Sequence, residues 1–355
     1  MSTGWAIFAF ILTLGFLIFI HELGHLIAAK ALGVKVLEFG IGFPPRLFTF
    51  KRGETKYSLN LIPLGGYNKM LGEVDPSEPG SLASKSIGAR IVILSAGSIM
   101  MFLFPLVLFS IVNMVPHNTI VGGEGIQIVQ VAPNSPAEAA GLRPGDEIIG
   151  IEGKPVKDFE TLRQVIYSNL GSEISLTLLR KGREIKVRVI PRKNPPKGEG
   201  PLGIAMGWAR LITERRAYPP WKAIPLGAKQ SWRMVMLLKY GIEAAIAGEV
   251  PFTVTGIIGI GQATSEVAKG GILQLLIWAA FLSINLGIIN LFPFPSLDGG
   301  RIAFVLLEWV RRGKRISPKV EGIIHFIGFV ILIGLVFVIS YYDILRLIRG
   351  ESLFK

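Results

Sequence analysis

The chain has 355 residues, half of them hydrophobic, and a mean hydropathy of +0.51, too apolar for one soluble domain and fitting a polytopic membrane protein with a soluble part. Its net charge of +13 comes without a basic stripe interleaved with aromatics, so it does not suggest a nucleic-acid partner and is better explained by basic loops beside membrane spans. With no cysteine, disulfides and cysteine-bound metal are excluded as well.

The first apolar run, Trp5–Ala29, holds His21-Glu22-Leu23-Gly24-His25 and no other charge before Lys30. Residues four apart share a helix face, so His21 and His25 present two imidazoles to one point, with Glu22 beside them. This is the zinc-protease pattern of two ligands and a general base. His21 lies about 24 Å along the helix from Trp5, inside a hydrocarbon core of about 30 Å. Ionisable residues at that depth are costly and point to function; the bland alternative is a helix end reaching the headgroups. The run lacks a positive leader and a small-residue cleavage site and is longer than a signal core, so a retained span is expected.

The loop Lys30–Arg90 carries nine Lys or Arg. Within it, Glu38–Phe43 and Pro63–Tyr67 flank the alternating run Lys56–Ile62, which predicts short strands or hairpins near the membrane; ordinary turns are the alternative. The pairs of glycines, Gly40 and Gly42, then Gly65 and Gly66, allow close backbone approach. A second span is expected over Ile91–Val115, with small residues Ser95–Ser98 suited to tight helix packing.

A soluble insert is expected from His117 to about Gly270. Its strands Gly125–Val131 and Glu147–Ile151, helices Ser135–Leu142 and Phe159–Leu170, and hairpin Ile174–Ile190 form one α+β unit. Pro191–Pro220 reads as a linker or irregular wrap. Ala223–Ala247 reads as an amphipathic helix, either on the membrane surface or packed on the soluble domain. The third span, about Ile272–Phe292, carries Asn285 and Asn290 and breaks at Pro293-Phe294-Pro295-Ser296-Leu297-Asp298. Broken helix at membrane depth is tolerated where it lines an enclosed cavity. A basic loop, Arg301–Lys319, precedes a last span over Ile323–Ile339.

The loops at 30–90 and 301–319 hold nine and six basic residues, which places them in the cytoplasm and the insert outside. Arg346, Arg349 and Lys355 run against this. A catalytic zinc takes three protein ligands. His117 and His325 have no partner motif, whereas Asp298 is a carboxylate in an apolar setting on the side of His25; a plain helix N-cap is its other reading. Another divalent ion would also accept two His and an Asp.

These residues resemble the site-2 protease family of intramembrane metalloproteases, in its bacterial branch of envelope-stress regulators. H-E-x-x-H in the first span, the G-x-G and P-L-G-G-Y elements, an insert after span two, and Asn290–Gly299 as N-x-x-P-x-P-x-L-D-G occur in the family's order. The insert resembles a PDZ domain through Ser135-Pro136-Ala137 and Gly141–Asp146.

The resemblance implies a polytopic α-helical membrane fold with about four spans, membrane-associated β-hairpins and one inserted PDZ domain. It divides the chain at 1–115, 116–195 (PDZ), 196–270 (linker and surface helix) and 271–355. It implies one zinc ion on His21, His25 and Asp298, with Glu22 activating water. Asn290, with Asn285 near it, would hold the substrate, and Gly40, Gly42, Gly65, Gly66 and Tyr67 would receive it as an added strand.

The implied activity is intramembrane proteolysis of single-pass proteins, such as a pre-trimmed anti-sigma factor or leftover signal peptides. The implied place is the bacterial inner membrane, with the active site near its cytoplasmic side. The PDZ domain would act as a size filter or as a reader of peptide C-termini. Family members often carry A-G-P-x-x-N in span two; Ala96–Met101 lacks the Pro and the Asn. A membrane-anchored peptide-binding scaffold and a metal transporter are the competing readings. A base beside two ligands argues against both.

Overall fold

The computed structural model describes residues 3–73, 75–196, 198–248 and 255–349; Lys355 lies outside them. Helix α1 (Thr3–Ala31) carries the first apolar run. Strands β1 (Val36–Arg52) and β2 (Thr55–Met70) pair antiparallel across a tight turn, where Gly53 takes φ +61°. The expected short strands are therefore one long ribbon. Its register breaks between Ile41 and Arg46, so residues 36–41 are flanked by 66–70 on one side and 56–59 on the other. Gly42 and Gly65, at φ +79° and +114°, turn the strands at this break.

Helix α2 (Ile87–Met114) starts at Ser86, whose Oγ accepts from the Ala89 N–H. Pro105 lies inside it and has no N–H to give the Met101 carbonyl one turn back. A partner comes from elsewhere: Ser283 Oγ donates to Met101 O at 2.7 Å. In lipid an unmet carbonyl costs several kcal/mol, so this bond lets a proline stand in a span.

The insert follows in the order β3 (His117–Val131), α3 (Pro136–Ala139), β4 (Glu147–Ile151), β5 (Lys154–Pro155), α4 (Phe159–Ser168), β6 (Ile174–Arg180), β7 (Arg183–Val189) and β8 (Ile204–Arg216). The sheet runs β7-β6-β4-β3-β8, with β5 on β4. Ile126, Ile128, Ile148, Leu162, Leu176 and Leu178 fill its core. The linker reading of Pro191–Pro220 is corrected over 204–216, which is strand β8, paired with β3 from His117↔Arg216 to Val131↔Ile204. A partner so distant in sequence leaves no local signature, and the Pro and Gly before it read as loop.

Asp146 shows how the insert is tied. Burial would push its carboxyl up, but Arg180 Nε at 2.6 Å and the Arg143 N–H at 2.9 Å outweigh that and hold it below the ordinary 3.8. A carboxyl lowered in the folded state adds stability that is present above pH 3.8 and is lost as pH falls through the lowered value. Acidification below about pH 4 is therefore expected to lower the melting temperature of the insert, and Asp146→Asn to flatten that dependence, as read by circular dichroism.

Then come α5 (Pro220–Ile246), α6 (Ile257–Ala268), α7 (Ile272–Leu291), α8 (Asp298–Val310) and α9 (Pro318–Ile348). Among the described residues four helices are long and apolar enough to cross a membrane: Ile7–Ala31, Ile87–Met114, Ile272–Leu291 and Pro318–Ile348. Two compact units result, one from 1–115 with 218–355 and one from Pro116–Ala217.

The insert thus ends near 217 rather than near Gly270. The amphipathic stretch belongs to the unit that holds the membrane-length helices. α5 lies against α2, with Gly227 on Leu106 and Ser110, and Asn113 Nδ2 donates to Gln230 Oε1 at 2.7 Å. Trp221, Trp232, Leu237 and Ile246 stay exposed. The basic loop at 301–319 is also corrected, since most of it is α8. Its apolar positions Ile302, Val305 and Leu306 recur at helical spacing, with Glu308 the one charge between Arg301 and Arg311.

Candidate metal centre

The last helical turns of α1 carry His21 and His25 on one face, their rings 4.8 Å apart and nearly perpendicular. Asp298, the first residue of α8, completes the cluster. Its Oδ2 is 3.1 Å from both Nε2 atoms, which are 3.3 Å from each other. These three atoms could hold a metal ion.

The donor chemistry fits one. His25 Nδ1 donates to the Ile93 carbonyl at 2.8 Å, which fixes that proton and turns the Nε2 side toward the cluster. Two imidazole nitrogens and a carboxylate oxygen converging at such distances repel unless a cation or protons lie among them. Two His with one carboxylate is a donor set of catalytic zinc, and it leaves a position open for water.

Small residues make the convergence sterically feasible. A Cβ on Gly97 of α2 would collide with both imidazoles, and one on Gly24 of α1 would strike Ala96 and Met100. The two helices therefore cross at the two imidazoles. The small stretch seen in the sequence does face the site. The missing Pro and Asn of that motif are replaced by Ser98 and Met101, both buried against other parts of the same unit.

Asp298 arrives through a broken connection. α7 stops before Pro293 and Pro295, and Gly299 and Gly300 let the start of α8 press against the carbonyls of Leu291, Phe292 and Phe294. The N-cap is Leu297, with no side-chain cap, so the cap reading of Asp298 does not hold. A buried ion pair at 2.6 Å, Arg90 with Glu308, ties α8 to α2.

Glu22 stands beside the cluster and is held by a residue the sequence did not single out. Asn68 of β2 donates its amide to Glu22 Oε2 and to the Glu22 carbonyl, both at 2.7 Å. Gly66 lies directly against the Glu22 side chain. Glu22, His25, Gly66, Tyr67, Asn68 and Asp298 share a pocket of about 180 Å³.

The other expected substrate residues divide. Gly66 and Tyr67 line that pocket. Gly40 backs the Tyr67 ring, whose hydroxyl donates to Glu38 at 2.9 Å, and Gly42 and Gly65 shape the ribbon instead. Asn285 spends its amide on the Phe281 carbonyl at 2.8 Å, and neither it nor Asn290 lines the pocket. Residues 66–70 pair only with 36–41, so among the described residues one edge of that strand has no partner strand.

Membrane-length helices around a cluster of two His and an Asp, with a carboxylate beside it, define an integral membrane zinc metallopeptidase. Peptidase family M50 matches residues 9–335, and the chain belongs to that family. It is 30% identical to the zinc metalloprotease RasP of Oceanobacillus iheyensis, over 96% of this chain and 98% of that one. It is 34% identical to a putative zinc metalloprotease of Nostoc sp., over 93% of each. It is 28% identical to the regulator of sigma-W protease RasP of Bacillus subtilis, over 96% and 98%. Among solved structures, the PDZ domain of an SdrC-like protein from Listeria innocua covers 23% of this chain and 92% of its own, at 23% identity and a TM-score of 0.21.

Proposed function

We propose that this protein cleaves single-span membrane proteins within their spans, with His21, His25 and Asp298 holding zinc and Glu22 acting as the general base. The convergence of three ligand atoms beside Glu22, in the unit that contains the spans, carries this reading. Zinc, when bound, supplies a Lewis acid that makes water nucleophilic near neutral pH.

Glu22, steadied at Oε2 by Asn68, takes a proton from the attacking water. As the peptide C–N bond breaks, the same carboxyl returns that proton to the leaving nitrogen. A helical substrate shields its peptide bonds, so it must extend first. The open edge of 66–70, beside Glu22, offers backbone partners to an extended segment where lipid offers none.

The insert is read as one PDZ domain outside the membrane. A groove of about 260 Å³ between α4 and the start of β8, lined by Ile166, Leu202 and Ile204, suits a peptide end. The basic residues of 30–90 face the cytoplasm of a bacterium, and the cleavage site lies near that face. The Bacillus subtilis relative is named a regulator of sigma-W protease; for this chain we take a single-span anti-sigma factor, already trimmed on its outer side, as a fitting substrate.

The test uses purified full-length protein with a truncated single-span reporter. A product whose mass places the cut inside the span is expected, lost with 1,10-phenanthroline and restored by Zn2+. A cut outside the span, or one indifferent to the chelator, would overturn the reading.

A further inference from the structure

The fourth histidine of the chain grips the turn that delivers Asp298. His325 of α9 accepts the Ser296 N–H at Nδ1, 2.8 Å away. An acceptor at Nδ1 leaves the ring proton on Nε2, the neutral form.

Ser296 has φ +82°, a left-handed conformation that a side-chain-bearing residue adopts only when its surroundings hold it there. One helical turn beyond His325, Gly328 packs against Pro295 so closely that a Cβ would fall 2.5 Å from the proline Cβ and 2.6 Å from its carbonyl oxygen. Positions 325 and 328 share one face of α9. That face clamps Pro295-Ser296, and Asp298 follows two residues later.

We propose that His325 is a positioning residue for the metal centre: by holding Ser296 left-handed it aims the Asp298 carboxylate between the imidazoles of His21 and His25. It reaches no ligand itself and acts through the turn. The inference rests on the reading of these three residues as zinc ligands. The alternative is that His325 merely packs, its ring 5.3 Å from Phe304.

The test measures Zn2+ affinity of metal-stripped, full-length protein in detergent by competition with a chromophoric chelator, with folding checked by size exclusion. His325→Ala is expected to weaken binding about 10- to 100-fold, the usual effect of losing an outer-shell support. His325→Asn, which can accept at the place of Nδ1, keeps most of the affinity, whereas His325→Gln, whose amide reaches the place of Nε2, does not. Adding Ser296→Gly to His325→Ala recovers part of the loss, because glycine takes positive φ unaided.

Wild-type affinity in His325→Ala would overturn the inference. So would equal losses in the Asn and Gln variants, which also decide the matter if the Ala protein does not fold. Asp298→Ala in the same assay separates the two levels. If it binds zinc like the wild type, the ligand reading falls and this inference falls with it. If it is impaired while His325→Ala is not, only the inference falls.

Discussion

Glu22→Gln abolishes cleavage while zinc stays bound. Glutamine keeps the size and shape of glutamate, and the imidazoles and Asp298 are untouched, so the metal cluster is preserved. What goes is the basicity: an amide takes no proton from water. A positioned general base contributes about 10²- to 10⁴-fold. Asn68 sharpens the expectation, because its amide, on strand β2, fixes the Glu22 carboxylate beside the cluster at 2.7 Å. The check is reporter cleavage together with zinc content per protein. Undiminished cleavage would remove Glu22 from the chemistry, and loss of zinc would make it a ligand rather than a base.

Asp298→Ala removes metal as well as activity. Its Oδ2 is equidistant from the two Nε2 atoms, and no other carboxylate joins that group among the described residues. Losing an outer-shell partner costs 10- to 100-fold in affinity, so losing a ligand is expected to cost roughly 100-fold or more. The fold should survive. Asp298 opens α8, where an acidic residue adds only about 0.3–1 kcal/mol through the helix dipole. α8 also keeps its tie to α2 through Arg90 and Glu308. Zinc titration beside a melting curve separates the effects. Full zinc affinity would place the third ligand elsewhere, and collapse of the fold would make Asp298 structural.

Features that depend on neighbours along the chain were legible in the residues alone. Four apolar runs long enough to span a bilayer follow from length and hydropathy, and His21 with His25 on one face follows from helical spacing. The hairpin within β6–β7 is equally local. Asp298 could be singled out only as a carboxylate in an apolar setting, and the family motif sharpened that choice.

Features that join distant segments became readable only in the folded chain. β8 could be found only with β3 beside it, because a strand between loops takes its identity from its partner. Gly97 is one small residue among several until α2 crosses α1 at the imidazoles. Asn68 lies 46 residues from Glu22, and His325 lies 29 from Ser296. Each looks like an ordinary polar residue in its own segment. Spacing encodes which side chains share a face, whereas the packing of α1, α2, α8, α9 and the ribbon decides which faces meet, and among membrane-length helices those meetings set the partners of buried polar groups.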